Sequence, residues 1–408
     1  MNIMDHSPPR SPSLAPFTIA TPQLFDGTVM RGPALVTVAG GLIQGVSFGE
    51  APSPEMTVLP SDAILAPGFI DIQVNGGGGA LLNDEPSEAG VRRIVEAHRR
   101  TGTTACLPTL ITDRTDVIER LAAVARDSLQ IPGVLGFPLE GPALNKARKG
   151  IHLESEIRLP NARDLAAMKG FGDCGRSIVT LAPECVPASL IDDLLGAGLR
   201  VSTGHSDATA MQIKQAADRG VTGVTHLFNA MSQLTAREPG VVGAALEDER
   251  LFAGIICDGL HVDPLGLRVA MRCKGRDRLM LITDAMPLVG TDQRHFLLQG
   301  RRITLEGNRL TGPDGTLAGA HLTMMQAVRH AVELLEVGIA NALAMASRTP
   351  ATFLGLESEL GAIAPGYRAD LVAFNSKFEV IETWVGGQAT LNRSCGEPMD
   401  QGAGLAEN

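Results

Sequence analysis

The sequence predicts a (β/α)8 TIM-type barrel carrying a small β-sandwich domain built from both chain ends, and three observations carry that prediction. Eight short apolar runs recur through the middle of the chain, each followed by a segment whose apolar residues repeat at helical spacing. Glycines stop several of these segments, at Gly102, Gly198 and Gly220. At either end the pattern changes to short alternating runs broken by turn residues, with too few strands in each half to stand alone. A doubly wound open sheet is the alternative. It is disfavoured because no G-x-G-x-x-G follows the first run, and the glycines at 76–79 lack the lysine of a phosphate loop.

The first ordered stretch, Phe17 to Leu65, contains ALVTVAGGLIQGVSF, with Gly40-Gly41 as a hairpin break, and TVLPSDAILAP. Its counterpart, Ala369 to Ala389, reads as two strands about a turn at Asn375-Ser376. Pairing the two gives a sandwich over 17–66 plus 366–392, with the barrel spanning 67–365. The Pro/Ser-rich start, 1–16, and the polar end, 393–408, are predicted as a disordered and a loose tail. The start lacks the apolar stretch expected of a secretory signal, and no run approaches the ~20 apolar residues of a membrane span.

The barrel strands expected in order are Phe69–Val74, Thr103–Pro108, Gly133–Leu139, Ser177–Pro183, Gly198–Thr203, Gly223–Phe228, Phe252–Cys257 and Arg278–Thr283. The helical segments between them include EAGVRRIVEAHRR, TDVIERLAAVARDSL, ASLIDDLLGAG and ATAMQIKQAADRG. Chain length is compatible with this: 408 residues exceed the roughly 250 of a bare barrel.

Composition narrows the function. With 45 acidic against 35 basic residues the net charge is −10, so duplex nucleic acid is an unsuitable partner. Twelve Phe, one Trp and one Tyr leave little for base stacking or an aromatic cage. The six cysteines form no C-x-x-C pair, which reads as reduced thiols in a cytoplasmic protein rather than a disulfide framework or thiolate metal site.

In this fold the chemistry lies at the C-terminal ends of the strands. Strand one ends in Gln73 and Asn75, strand three in Glu140, strand five in His205, and strand six carries His226. Strand seven is followed by Asp258 and His261, and strand eight by Asp284. One carboxylate and two imidazoles make a three-ligand site for a divalent metal such as zinc, leaving a position for water. Asp284, outside that shell, suits a proton shuttle. Each residue alone has a structural alternative: a turn carboxylate for Glu140, a helix cap for Asp284, a hydrogen-bonded core group for either histidine. Their joint placement favours a site. His98 and His330 fall in helices, and His6 and His295 in a tail and a loop.

The segments APGFIDIQVNG, LEGP, KGIH, LAPE, STGHSDAT, THLFNAM, REPG, CDGLHVD, ITDAM and GTLAGAHLTM occur in this order. Together they resemble the N-acetylglucosamine-6-phosphate deacetylases of the amidohydrolase superfamily, over roughly residues 25 to 390. The resemblance implies one divalent metal ion per subunit, most simply zinc, on Glu140, His205 and His226, with Asp284 as catalytic acid and base. It further implies substrate contacts from Ile151, His152, Asn229, Ala230, Arg237, the run Asp258, Gly259, Leu260 and His261, and the loop Leu317, Ala318 and Gly319. A phosphosugar substrate and a homodimer follow from the same resemblance, with no nucleic-acid or membrane partner. Gln73 and Asn75 replace the His-x-His common in the superfamily, and neutral amides are weak ligands for a transition metal. Two other departures are Pro138, where a histidine often precedes LEGP, and His321, where a small hydroxyl residue is commoner. Deacetylation of the galactosamine epimer, another amide hydrolysis and a non-enzymatic scaffold are the rival readings.

Overall fold

A computed structural model describes residues 15–390; the tail expectations lie outside these residues, apart from the first tail's last two positions. Its centre is a curled sheet of seven parallel strands in sequence order. They are Leu110–Ile111, Pro138–Glu140, Ile178–Leu181, Arg200–Thr203, Gly223–Val224, Phe252–Ile256 and Leu279–Ile282. The first barrel strand, Phe69–Val74, pairs in parallel with Thr103–Pro108, which runs on through Thr109 into Leu110–Ile111. At the other edge, Asp284 N donates to Gln73 O at 3.1 Å and Gly76 N to Ala285 O at 2.9 Å. Strand eight is thereby tied back to strand one. The result is a TIM-type barrel with a second domain.

A helix follows each strand, and the local sequence explains where several begin and end. Ser87 caps Glu88–Arg99 by accepting from Gly90 N, and the Gly102 beyond it takes φ +94°. Thr209 and Gln212 form a capping box at the start of Ala210–Asp218. Strand one is buried at all six positions, as a strand covered on both faces requires.

Strand limits differ from expectation mainly at strands three and six. Strand three begins only at Pro138, since Gly133 and Gly136 take φ +96° and +157° and Val134 makes only an isolated bridge. Strand six stops at Val224 because His226 and Phe228 turn into the left-handed region, at φ +34° and +79°. A three-stranded antiparallel sheet, His295–Leu298, Arg301–Glu306 and Arg309–Thr311, is inserted after strand eight. His295 therefore begins a strand rather than sitting in a loop.

The second domain joins the chain ends. Its six-stranded sheet joins Ile64–Pro67, Gln23–Phe25 and Met30–Arg31 edge to edge with Leu371–Phe374, Val380–Val385 and Gln388–Ala389, through the antiparallel pair Ile64–Pro67 and Leu371–Phe374. A four-stranded sheet from 17–58 lies over it, and Ile19, Val36, Ile43, Leu65, Leu371 and Trp384 fill the space between. The hairpin at Gly40-Gly41 has both glycines at positive φ, +59° and +78°.

Candidate active site

The strand ends converge on one cavity of about 370 Å³, within the usual range for small-molecule sites. Glu140, His205 and His226 meet at its floor, all nearly inaccessible to solvent. Glu140 Oε1 lies 3.1 Å from His205 Nε2 and 2.9 Å from His226 Nε2, and the two ring nitrogens are 3.1 Å apart. Three atoms that ligate metals in proteins thus share one point.

The proton count at that point favours a cation. His205 Nδ1 lies 2.8 Å from the Arg148 carbonyl, so Nδ1 carries the hydrogen and, in the neutral ring, Nε2 presents a lone pair. That lone pair faces a carboxylate oxygen and a second imidazole nitrogen. One proton on His226 relieves one of these contacts and leaves the others acceptor against acceptor. The donor set suits a divalent ion, and the Arg148 carbonyl fixes the His205 tautomer as ligating histidines require.

Electrostatics agree. Although burial raises it, the His205 and His226 rings beside it hold the Glu140 carboxyl well below the ordinary range. Burial pulls the His226 ring down, but the Glu140 bond and charge pull it up further, and the net shift is upward. His152, whose Nε2 stands 3.8 Å from Glu140 Oε2, is lowered to about 3 by burial and by His205. It is a neutral imidazole at neutral pH. Burial and then the Glu140 charge push Asp284 upward.

Asp284 sits across the floor at the end of strand eight. No helix starts there, so it is not a cap. Its Oδ1 accepts Asn75 Nδ2 at 2.7 Å and Gln73 Nε2 at 3.2 Å. The two strand-one amides, read from sequence only as poor ligands, are thus spent on orienting the carboxylate.

Backbone strain clusters here. Of eight described non-glycine residues with positive φ, five are His205, His226, Phe228, Ala230 and Asp284. Each such position costs roughly 1–3 kcal/mol and persists only when its surroundings hold it.

The other expected residues divide. Ile151, His152, Asn229, Ala230, His261, Leu317 and Gly319 line the cavity. Gly319 takes φ +62°, and a Cβ there would stand 2.9 Å from Asp284 O. Asp258 is occupied by its neighbours: Oδ1 accepts Leu260 N and His261 N, and Oδ2 lies 2.6 Å from His261 Nδ1. It orients His261 toward the cavity. Gly259, Leu260 and Ala318 support their loops without lining the cavity, and Arg237 is exposed and outside the lining of the single chain. His321 is likewise outside it, and Pro138 lies in the barrel interior beneath Glu140. Arg148 and Thr316 line the cavity and were not anticipated.

Comparison with known proteins places this geometry. Residues 64–390 match the model of the Amidohydrolase family. The chain is 42% identical over 362 residues to an N-acetylgalactosamine-6-phosphate deacetylase of Shewanella sp. (strain ANA-3), covering 86% of this chain and 90% of that one. It is 35% identical over 331 residues to an N-acetylglucosamine-6-phosphate deacetylase of Haemophilus influenzae, covering 79% and 86%. The crystal structure of the N-acetylglucosamine-6-phosphate deacetylase from Pasteurella multocida superimposes with a TM-score of 0.88 at 32% identity, over 92% of this chain and 99% of that one. The barrel, the strand-end site and the matched length together show that the chain belongs to the amidohydrolase family.

Proposed function

We propose that this chain is a metal-dependent deacetylase that hydrolyses N-acetyl-D-glucosamine 6-phosphate to D-glucosamine 6-phosphate and acetate in amino-sugar catabolism. The observation that carries the reading is the meeting of Glu140, His205 and His226 at one point, with Asp284 facing them across the cavity floor. Two imidazoles and one carboxylate suit zinc, and one ion per chain is expected because Gln73 and Asn75 are engaged with Asp284. When bound, such an ion supplies polarisation of the amide carbonyl and an acidified water.

The chain's own residues do the rest. Asp284 Oδ takes a proton from the attacking water and returns it to the departing amine, so one group serves both steps. Burial, which raises its affinity for a proton, makes it an adequate acid after it has acted as base. Neutral His152 offers an N–H to the acetyl carbonyl without adding a further positive charge beside the ligands. Ile151, Asn229, Ala230, Leu317 and Gly319 form the sugar-binding wall, with Ala318 buried behind them. His261, held by Asp258, and Arg237 are assigned to the phosphate on the resemblance.

The proposed architecture is a closed (β/α)8 barrel over 67–365 with a β-sandwich from 17–66 and the chain from 366 onward, supported by the strand-one to strand-eight bonds and the mixed sheet. A cytoplasmic homodimer is proposed on the resemblance and on the five described cysteines, all free.

A second reading, the galactosamine epimer as preferred substrate, is favoured by the 42% identical relative bearing that name. Acetate release from the two phosphosugar epimers, compared as kcat/KM, decides between them. A preference for the glucosamine epimer supports the primary reading; a preference for the other transfers the assignment; release from neither overturns both.

A further inference from the structure

The LAPE stretch closes strand four, and the chemistry above leaves its Glu184 unused. This carboxylate stands between the loops that follow strands three and five. Oε1 accepts Asn145 Nδ2 at 2.9 Å and Asp207 N at 2.6 Å, and Oε2 accepts Ser206 Oγ at 2.7 Å.

Those three donors are the residues that enclose His205. Asn145 N donates to His205 O at 2.9 Å. Asn145 Oδ1 caps the short turn Lys146–Arg148 by accepting Ala147 N at 2.9 Å. That turn ends at the carbonyl that receives His205 Nδ1 at 2.8 Å. The Arg148 guanidinium then reaches back to Asp207, with Nε and Nη2 at 2.8 and 2.7 Å from Oδ1. Ser206 and Asp207 are the two residues immediately after His205 in the chain. A ring of contacts therefore surrounds this histidine, and Glu184 joins its two halves.

His205 needs such a ring. Its φ of +48° is one that side-chain-bearing residues adopt only when held, and Nε2 must aim at the point it shares with Glu140 Oε1 and His226 Nε2 to serve as a ligand. A carboxylate accepting three hydrogen bonds is a strong clamp for the segment.

We propose that Glu184 is a positioning residue for the metal site: by tying Asn145 to Ser206 and Asp207 it fixes the ring orientation and tautomer of His205, and so sets affinity for the divalent ion. The proposal rests on the reading of Glu140, His205 and His226 as a metal site. A turn carboxylate that merely stabilises the fold would lower thermal stability without a specific effect on metal.

The test is zinc affinity of metal-stripped full-length protein, measured by competition with a chromophoric chelator, for wild type, Glu184→Ala, Glu184→Gln and Ser206→Ala. Outer partners of a metal ligand typically change affinity about 10–100-fold. Glu184→Ala is expected to weaken zinc binding by that factor, with Glu184→Gln and Ser206→Ala in between, and metal-free melting temperatures are expected to stay near wild type. Saturating zinc is expected to restore KM for the phosphosugar. Zinc affinity within about twofold of wild type in Glu184→Ala overturns the proposal. If that variant does not fold, unchanged affinity in both Glu184→Gln and Ser206→Ala overturns it equally. Wild-type protein that takes up no divalent ion is a different result, and overturns the metal-site reading beneath it.

Discussion

The Asn75 side-chain amide donates to Asp284 Oδ1 at 2.7 Å, so the first and last barrel strands meet at the carboxylate assigned the proton transfers. Gln73 adds a second, longer contact to the same oxygen. An N–H pair held this way fixes which carboxylate oxygen remains free to face the cavity.

Asp284→Asn is expected to retain the metal and lose nearly all turnover. Asn is close in size, and the three-ligand set is complete without position 284. General acid–base assistance contributes about 10²–10⁴-fold, and one group serving two steps belongs near the upper end. Metal analysis and kcat on the same preparation check this. A metal-free variant would make Asp284 a ligand; a variant with metal and most of its kcat would move the shuttle to another group, His152 being the next within the cavity.

Metal uptake is expected to depend on pH in a direction set by His226. Without metal its ring holds a proton more firmly than usual, because Glu140 outweighs the effect of burial. Binding of the ion must displace that proton, so affinity rises with pH through the histidine range and levels off above it. Chelator competition from about pH 5 to 8 measures it, and a flat profile would contradict the assignment. His205→Ala and His226→Ala are each expected to lose metal as well as activity.

Asp71 supplies a stability prediction. It is fully buried on Phe69–Val74, and burial pushes its carboxyl up to about 7 despite bonds from Thr283 and Gln73 N. Between its ordinary value of 3.8 and about 7 the folded state holds a proton that the unfolded state has released. Stability therefore falls as pH rises through that window. Asp71→Asn preserves the shape and removes the titration, so denaturant unfolding at several pH values is expected to show a flatter dependence in the variant. Equal slopes would place the pH sensitivity elsewhere.

Arg237→Ala is expected to raise KM for the phosphorylated sugar far more than for unphosphorylated N-acetylglucosamine. One charge-assisted contact contributes about 1.5–3 kcal/mol, or roughly 10–150-fold. Steady-state kinetics on the two sugars distinguish this from a structural role, which would affect both alike. An unchanged KM on both would leave the phosphate to His261 and the other cavity residues.

The fold and the strand-end cluster were legible because each depends on a pattern that survives in one dimension. Apolar runs at βα spacing located eight strands, and the residue just past each strand located Glu140, His205, His226 and Asp284. What was not legible depends on backbone turns and on side chains reaching across loops. His226 ends strand six early through a positive φ that no propensity announces. Gln73 and Asn75 look like lost ligands until their amides are seen on Asp284. Asp258 looks like a substrate contact until its three bonds to Leu260 and His261 are traced. Glu184 had a signal, the LAPE motif, yet its partners lie at 145 and 206–207 and become neighbours only when strands three to five are side by side. Arg237 illustrates the converse: a motif position carried by resemblance alone, which the single chain leaves exposed.

The most direct test of the metal-dependent deacetylase reading is acetate release from N-acetylglucosamine 6-phosphate by chelator-stripped protein, before and after zinc is titrated in. The account predicts negligible release from stripped protein and recovery that saturates at one ion per chain. Full activity in the stripped protein, or saturation only at two ions, would contradict it.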